Sequence, residues 1–408
     1  MKPGFLAKNP SVLAFLALLA LFTLAVTLLS TAYGAEIVST SMVKTLGKTL
    51  CLCLIAIAMD LVWGYTGILS LGHFAFFGLG GYMIGMWLMV ARTREIVLAS
   101  AAGVLPMTPQ ELSDAIATQI FGVVGSSELP AIWHFAGSLP MQLLFVVLVP
   151  GLLAFLFGWL AFRSRVTGVY LSILTQAMTL ALSLYLFQND SGLRGNNGLS
   201  GLQNIPGLAA DQDHLSVWFL WASAVALGLG YLLASFVTSG KFGSVMRGIR
   251  DDEARVRFLG YSVESYKLFV FTLTAVIAAI AGALYYPQAG IINPAEMAPI
   301  ASIYLAVWVA IGGRGRLYGA VMGAAFVSLV STWFTGGRAP DLTLGIYTVK
   351  WVDWWQVLLG LSFVLVTLFA PKGLSGLVDL LAGLRTPWRG GTPLGPDDGS
   401  LREEEAVE

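Results

Sequence analysis

The chain has 408 residues, of which 57% are hydrophobic and 11% are charged, and its formal net charge is zero. With a mean hydropathy of +0.78, a soluble domain of this length would expose large apolar patches, so the composition excludes a soluble globular protein and indicates a polytopic membrane protein. The balanced charge gives no reason to expect nucleic acid or another polyanion as a partner.

Apolar stretches long enough to cross a bilayer predict an all-α membrane protein of about ten segments. A short segment, residues 298–311, ends in a turn rich in glycine and arginine, which indicates a discontinuous helix. Glu296 is expected near the N-terminus of this segment, where the helix dipole favours an anion. We expect two halves of related, inverted topology with one broken helix each. The longer predicted segments are residues 11–32, 41–63, 73–91, 141–162, 168–187, 216–237, 267–286, 317–334 and 352–370.

A glycine-rich break follows the second segment. Residues 64–85 contain seven glycines, yet every backbone N–H and C=O in hydrocarbon must find an internal partner. Irregular backbone at this depth therefore survives only where protein or a water-filled cavity surrounds it, and transporters use such breaks to handle polar cargo. The break is thus predicted to line a path. The predicted path residues are Thr66, Gly67, Ser70, Gly72 and His73.

Several polar groups near this break also have simpler interpretations. Ser70 can cap the helix that begins near His73, and a histidine at such a position is more often packed or capping than ligand-binding. Asp60 lies near one end of its segment, where a bond to freed backbone N–H groups is favoured over a functional role. Cys51 and Cys53 are expected to be small buried hydrophobes. No metal site, cofactor or catalytic constellation is predicted.

Lysine and arginine in the short loops predict that both termini are cytoplasmic, because five basic clusters then fall on one side. We expect a transmembrane permease domain over residues 1–386, an ordered external excursion over residues 93–140 and a disordered cytoplasmic tail over residues 387–408. On the external side, Asn196 and Asn197 either contact an arriving binding protein or guard the entrance. Turn chemistry explains the Asn-Gly sequence equally well.

Residues 240–266 form the long, charged cytoplasmic loop. Its pattern predicts two short amphipathic helices, with Asp251 or Asp252 as the cap of the second and Gly260 as its stop. Such helices suit a coupling loop that docks into a groove of a soluble partner. The alternative is a solvated loop whose arginines merely follow the positive-inside rule. The predicted coupling residues are Met246, Ile249, Arg250, Glu253, Ala254, Val256 and Gly260.

One resemblance depends on five stretches of the chain: residues 64–78, 247–253, 259–262, 266–271 and 281–286. Through them the chain resembles the permease subunits of ABC importers for branched-chain amino acids and urea. Residues 60–63 (Asp-Leu-Val-Trp) and 189–199 look most like the second, C-type urea permease subunit. One departure concerns the docking motif that many such permeases carry, Glu-Ala-Ala followed by glycine four residues on. Here Glu253-Ala-Arg255 is followed by Gly260, five residues after Arg255. The resemblance covers about residues 40–375.

The resemblance implies a multi-pass permease of the bacterial inner membrane that forms half of the path for urea or a short amide. Its implied partners are a second, related permease in a heterodimer, two cytoplasmic ATP-binding subunits and an external binding protein. The chain itself is not expected to be an enzyme. Residues 47–49 imitate the end of a Walker A motif, but Met42 stands where its opening glycine belongs, so ATP binds elsewhere.

Two alternatives to urea transport stay open. The same machine could carry branched-chain amino acids, although a carboxylate and an ammonium call for charged partners that the segments scarcely offer. A stand-alone channel or a secondary transporter is the alternative from another class.

Overall fold

The computed structural model describes residues 9–33, 38–101, 108–124, 131–166, 168–203, 205, 212–336, 342–344, 347–349, 351–369 and 373–376. The predicted tail lies outside the described residues. The α-helices are α1 Pro10–Tyr33, α2 Thr40–Trp63, α3 His73–Ser100, α4 Pro109–Val124, α5 Leu139–Arg163, α6 Val169–Phe187, α7 Gln212–Thr238, α8 Gly240–Asp251, α9 Glu253–Phe258, α10 Val263–Ala289, α11 Pro299–Gly312, α12 Leu317–Thr335 and α13 Trp351–Phe369.

Ten of these helices correspond to the predicted membrane segments, which confirms the all-α, polytopic fold. Among the described residues, eight helices are long and apolar enough to cross a bilayer, while α11 and α13 are shorter. Helix α11 begins at Pro299 and ends where Gly313 adopts a φ of 112°. A proline at the start and a glycine of positive φ past the end are the expected boundaries of a short helix. The inverted relation between halves stays a prediction.

Helices α2, α3 and α10 form the centre of the bundle, and glycines let the backbones of α3 and α10 approach closely. A Cβ on Gly80 would overlap the backbone of Ala279, and one on Gly282 would overlap that of Phe77. Small residues permit this kind of close helix contact in membranes. Helices α1 and α13 pack outside this centre and expose large apolar side chains such as Leu18 and Leu368, as expected for faces that meet lipid.

Helix α3 is longer than the sequence analysis predicts. It continues to Ser100, past the residue-93 boundary expected for the external excursion. The extension is stabilised by α4, which packs on it and with it buries Val97 and Ile120. Helix α4 begins with a capping box, since the Thr108 N–H donates to Glu111 Oε2 over 2.8 Å and the Glu111 N–H donates to Thr108 Oγ1 over 3.3 Å.

The two helices predicted in the 240–266 loop are confirmed as α8 and α9. Asp252 rather than Asp251 is the N-cap of α9, because its Oδ1 accepts the Arg255 N–H at 3.0 Å. Gly260 follows the helix with a φ of 87°, which suits the left-handed stop that glycine permits.

Two connections pair at one end of the bundle. Strand β1, Leu199–Ser200, lies antiparallel to β2, Ile291–Ile292, with Leu199 opposite Ile292. Further strands, β3 Leu342–Leu344 and β4 Tyr347–Val349, form a second antiparallel pair. We name the end that holds β1 and β2 the Asn196 end. The end that holds the break at residues 64–72 and the turn at residues 313–316 is the Gly64 end.

Candidate functional site

The break between α2 and α3 frees backbone carbonyls at the Gly64 end, and two arginines bind them. The Trp63 carbonyl oxygen accepts from Arg314 Nη2 at 3.1 Å, and the Gly64 carbonyl oxygen accepts from Arg250 Nη1 at 2.9 Å. Asp60 on α2 bonds to a backbone N–H group of the turn that follows α11, because its Oδ1 accepts the Gly315 N–H at 2.7 Å. The structural role predicted for Asp60, a bond to a freed N–H group, is thereby confirmed.

Deeper in the break, the backbone groups bond to hydroxyl groups and not to charged side chains. Ser172 Oγ on α6 donates to the Leu69 carbonyl at 2.7 Å, and Thr175 Oγ1 on the same helix accepts the Leu71 N–H at 3.0 Å. On α11, Ser302 Oγ accepts the Phe74 N–H at 3.2 Å. Neutral groups that both donate and accept therefore surround this part of the backbone.

His73 is fully buried at the start of α3, with both ring nitrogens in hydrogen bonds. Nδ1 lies 3.1 Å from Ser70 Oγ, and Nε2 lies 3.1 Å from Thr274 Oγ1 on α10. The ring also meets Phe76 and Phe271 edge to face. This geometry fits the packed interpretation of the histidine, with Ser70 as a partner of its ring rather than a cap. A path role for these residues, and for the buried Thr66, stays a prediction.

The predicted coupling residues fall into two groups. Met246, Ile249 and Val256 are buried, and the last two pack together with Val263 in a small core of the loop itself. Glu253 is tied to Lys267 at 2.5 Å and to Arg257 at 3.0 Å. These side chains hold the loop together, whereas Ala254 and Gly260 lie exposed on its surface.

Three large exposed side chains of the same loop are absent from the predicted coupling residues. Phe258 is 92% exposed, Leu259 is 71% exposed and Tyr261 is 43% exposed. Apolar residues at helical spacing mark the face of a helix that packs inward. The pattern therefore pointed to the buried residues of the loop and not to these exposed ones. The available signal was the presence of bulky apolar residues at and just past the end of α9, in an otherwise charged loop.

At the Asn196 end, Asn196 and Asn197 lie exposed in a 3₁₀ turn, Gly195–Asn197. Arg194 before the turn has a φ of 67°, and Gly198 after it has a φ of 61°. Trp133 Nε1 of the excursion donates to the Gly192 carbonyl at 3.0 Å and supports this connection. The asparagines are thus held on a built surface, and their role as an entrance stays a prediction.

Lys48 inside α2 enters the sequence analysis only as part of the imitated Walker A motif. Lys48 is half-buried within the segment and interacts electrostatically with Glu296. Glu296 lies in a separate 3₁₀ turn, Pro294–Met297, ahead of α11 and not in the helix itself. The signal in the sequence was the pair Lys44 and Lys48, one turn apart within a predicted membrane segment, where ionisable groups are rare.

The backbone of the break yields a test at Gly67, which has a φ of 79°, whereas Gly72 has a φ of −122°. Alanine at Gly67 should lower the free energy of unfolding by about 1–2 kcal/mol, because a Cβ disfavours the left-handed region. Asparagine, which tolerates that region, is the matched variant and should recover part of the loss. Thermal unfolding of the purified protein measures both. Equal stability of Gly67→Ala and the wild type would contradict this backbone assignment.

The chain is similar in sequence to known transport permeases. It is 26% identical over 209 residues to the high-affinity branched-chain amino acid transport system permease protein LivM of Escherichia coli (strain K12), covering 45% of this chain and 48% of LivM. It is 30% identical over 151 residues to the autoinducer 2 import system permease protein LsrC of Yersinia pseudotuberculosis serotype O:1b (strain IP 31758), covering 35% of this chain and 43% of LsrC. The chain spans about half the length of the curated relatives it matches.

No solved structure matches the chain. The sequence profile of one family, described as branched-chain amino acid transport system / permease component, matches residues 41–367. That match extends from α2 into α13 and includes the break and the α8–α9 loop. The chain therefore belongs to the family of permease components of branched-chain amino acid transport systems.

Proposed function

We propose that this chain is one membrane-spanning subunit of an ATP-driven importer and forms half of the path for urea or a short amide. One observation carries the proposal. The α8–α9 loop touches the break directly, because Arg250 Nη1 donates to the Gly64 carbonyl and a Cβ on Gly67 would lie 3.1 Å from Arg250 Cγ. A soluble subunit that moves this loop would thus act on irregular backbone within the membrane.

The surroundings of the break support a neutral cargo. Urea presents N–H donors and a carbonyl acceptor without net charge, so it needs neutral hydrogen-bonding partners more than an ion-pair clamp. The side chains that bind the deeper part of the break, Ser172, Thr175 and Ser302, are hydroxyls. The urea-like segments at residues 60–63 and 189–199 support the same substrate.

The proposed partners follow from family membership and from the surface of the loop. Two ATP-binding subunits supply hydrolysis, a related second permease completes a heterodimer, and an external binding protein delivers cargo to the Asn196 end. Phe258, Leu259 and Tyr261, at the end of α9, provide an exposed apolar surface that can enter a groove of the ATP-binding subunit. Residues 47–49 are part of helix α2, which does not suit a phosphate-binding loop.

The proposed orientation places the Gly64 end in the cytoplasm of a bacterial inner membrane. Arginines 247, 250, 255, 257, 314 and 316 lie in the α8–α9 loop and the 313–316 turn, as the positive-inside rule requires. With ten crossings, both termini are then cytoplasmic.

Branched-chain amino acids are the second candidate cargo. The similarity to LivM favours them, and the pair Lys48 and Glu296 offers the opposite charges that the sequence analysis found scarce. Membership in a permease family argues against a stand-alone channel or a secondary transporter.

Deletion of the gene in its own host tests the substrate. Uptake of labelled urea from a dilute medium should fall to the background level and return when the full chain is supplied, while uptake of labelled leucine stays unchanged. Loss of leucine uptake with normal urea uptake would assign the chain to the amino acids instead. Loss of neither would contradict both cargo assignments.

The docking surface gives a second test. Phe258→Asp and Leu259→Asp should abolish urea uptake and release the ATP-binding subunit during purification, since both side chains are exposed and contribute little to the fold of this chain. Ser265→Asp, which adds the same charge at a nearby exposed position, is the matched control and should transport normally. Normal uptake by both loop variants would contradict the assigned surface. Aspartate at Ile249 or Val256 would be uninformative, because both residues pack in the loop's own core.

A further inference from the structure

A cluster of polar side chains outside the break lies on the way to the Asn196 end. Lys48 on α2 and Glu296 in the Pro294–Met297 turn interact electrostatically. Among the described residues they form no direct ion pair. Two tyrosines accompany them, Tyr82 on α3 and Tyr286 on α10, both within electrostatic range of Glu296. We name these four residues the Glu296 cluster.

The hydroxyl groups of the two tyrosines have no hydrogen-bond partner within the described part of the chain. Both side chains are fully buried, and both oxygens are shielded from solvent. The Tyr286 hydroxyl approaches the Glu296 carboxylate but lies outside hydrogen-bond geometry. A buried hydroxyl left unpaired costs free energy, so each needs a reason to persist in the fold.

The two charged members of the cluster are more accessible than the tyrosines. Lys48 and Glu296 are half-buried and therefore reach a surface of the chain. Lys48 lies eight residues after Thr40, which at roughly 1.5 Å per residue is about 12 Å into α2. Lipid is a poor environment for ionisable groups, which instead face one another or a water-filled cavity. Lys48 and Glu296 are therefore expected to face water or a partner rather than hydrocarbon.

The cluster is also connected to the predicted entrance. Glu296 follows β2, and β2 pairs with β1 directly after the turn that carries Asn196 and Asn197. Gly81 brings α3 so close to this region that a Cβ there would overlap the Tyr286 ring. The position of Glu296 is therefore set jointly by the entrance connection and by the close contact of α3 with α10.

We propose that the Glu296 cluster binds cargo when it opens during transport: the Glu296 carboxylate accepts N–H groups of the cargo, while the Lys48 ammonium and the Tyr82 and Tyr286 hydroxyls, which are closed to solvent in the state described here, donate to its oxygen. The arrangement suits urea, whose two N–H groups that point the same way can bind one carboxylate together, in the manner of paired guanidinium N–H groups. The proposal rests on the proposed function for the identity of the cargo. An amino acid shares the chemistry, with its ammonium at Glu296 and its carboxylate at Lys48.

The tyrosines allow a sharp experiment, because removal of an unpartnered hydroxyl breaks no bond within the chain. Tyr82→Phe and Tyr286→Phe should keep assembly and thermal stability at or above the wild-type level. Glu296→Gln keeps the size of the side chain and removes its charge. In the assembled importer we expect each variant to raise the KM for urea uptake at least about tenfold, the effect of one lost strong hydrogen bond. Tyr185→Phe and Glu95→Gln, at exposed positions on α6 and α3, are the matched controls and should leave the KM unchanged.

The outcomes separate this proposal from the proposed function. Normal urea uptake by the wild type together with an unchanged KM in all three variants would overturn the cargo site and leave the urea assignment intact. If the wild type takes up leucine and not urea, the urea assignment is wrong, and the KM for leucine is measured in the same variants. A rise of that KM would support the cluster as the cargo site, and an unchanged value would overturn it. Loss of stability in Tyr82→Phe or Tyr286→Phe would also count against the proposal, since it would show that the hydroxyls serve the fold.

Discussion

Irregular backbone inside a membrane must have every polar group paired by protein or by water in a cavity, and the break at residues 64–72 imposes this demand on the rest of the fold. Arg250 and Arg314 supply donors for the carbonyls at the Gly64 end, while Ser172, Thr175 and Ser302 supply hydroxyls deeper in. These partners come from the α8–α9 loop, α6, α11 and the turn that follows α11. The break therefore draws otherwise separate elements together, and a displacement of any of them changes its hydrogen bonds.

The chain places charge and neutral polarity at different depths. Arginines occupy the Gly64 end, hydroxyls surround the deeper break, and the Glu296 cluster lies toward the Asn196 end. Between these regions, Gly80 and Gly282 hold α3 and α10 in close contact. A rigid centre with polar groups at successive depths suits a path in which the elements around the centre move. The Arg250 contact is where the proposed ATP-driven motion would enter.

Local patterns in the sequence were sufficient to predict the helices but not the hydrogen bonds and contacts between them. Long apolar runs predicted the membrane helices, and cap chemistry at Asp252 predicted α9, because both signals reside within a few neighbouring residues. The hydroxyls that bind the break lie on α6 and α11, a hundred or more positions away, where serine and threonine look like ordinary membrane-helix residues. Lys48 and Glu296 are likewise far apart in the sequence, so no local pattern pairs them.

At two places in the site, the sequence pattern and the observed packing lead to different conclusions. Ile249 and Val256 carry the expected amphipathic signal, yet they pack on Val263, so the exposed surface consists of Phe258 and its neighbours. Gly67 and Gly72 look alike in the sequence. Only Gly67 adopts a positive φ, whereas a Cβ on Gly72 would meet Thr179 Oγ1 at 3.1 Å. One glycine is required by backbone conformation and the other by space.

Hydrogen–deuterium exchange across residues 64–73 tests the central claim most directly, in the assembled importer with and without a non-hydrolysable ATP analogue. The account predicts slow exchange of the Gly67 amide in the nucleotide-free complex, because the Trp63 carbonyl accepts its proton and Arg250 packs against this glycine. It predicts faster exchange once the nucleotide shifts the α8–α9 loop and the Arg250 contact. Exchange at the same rate in both states would contradict the claim that the loop acts on the break.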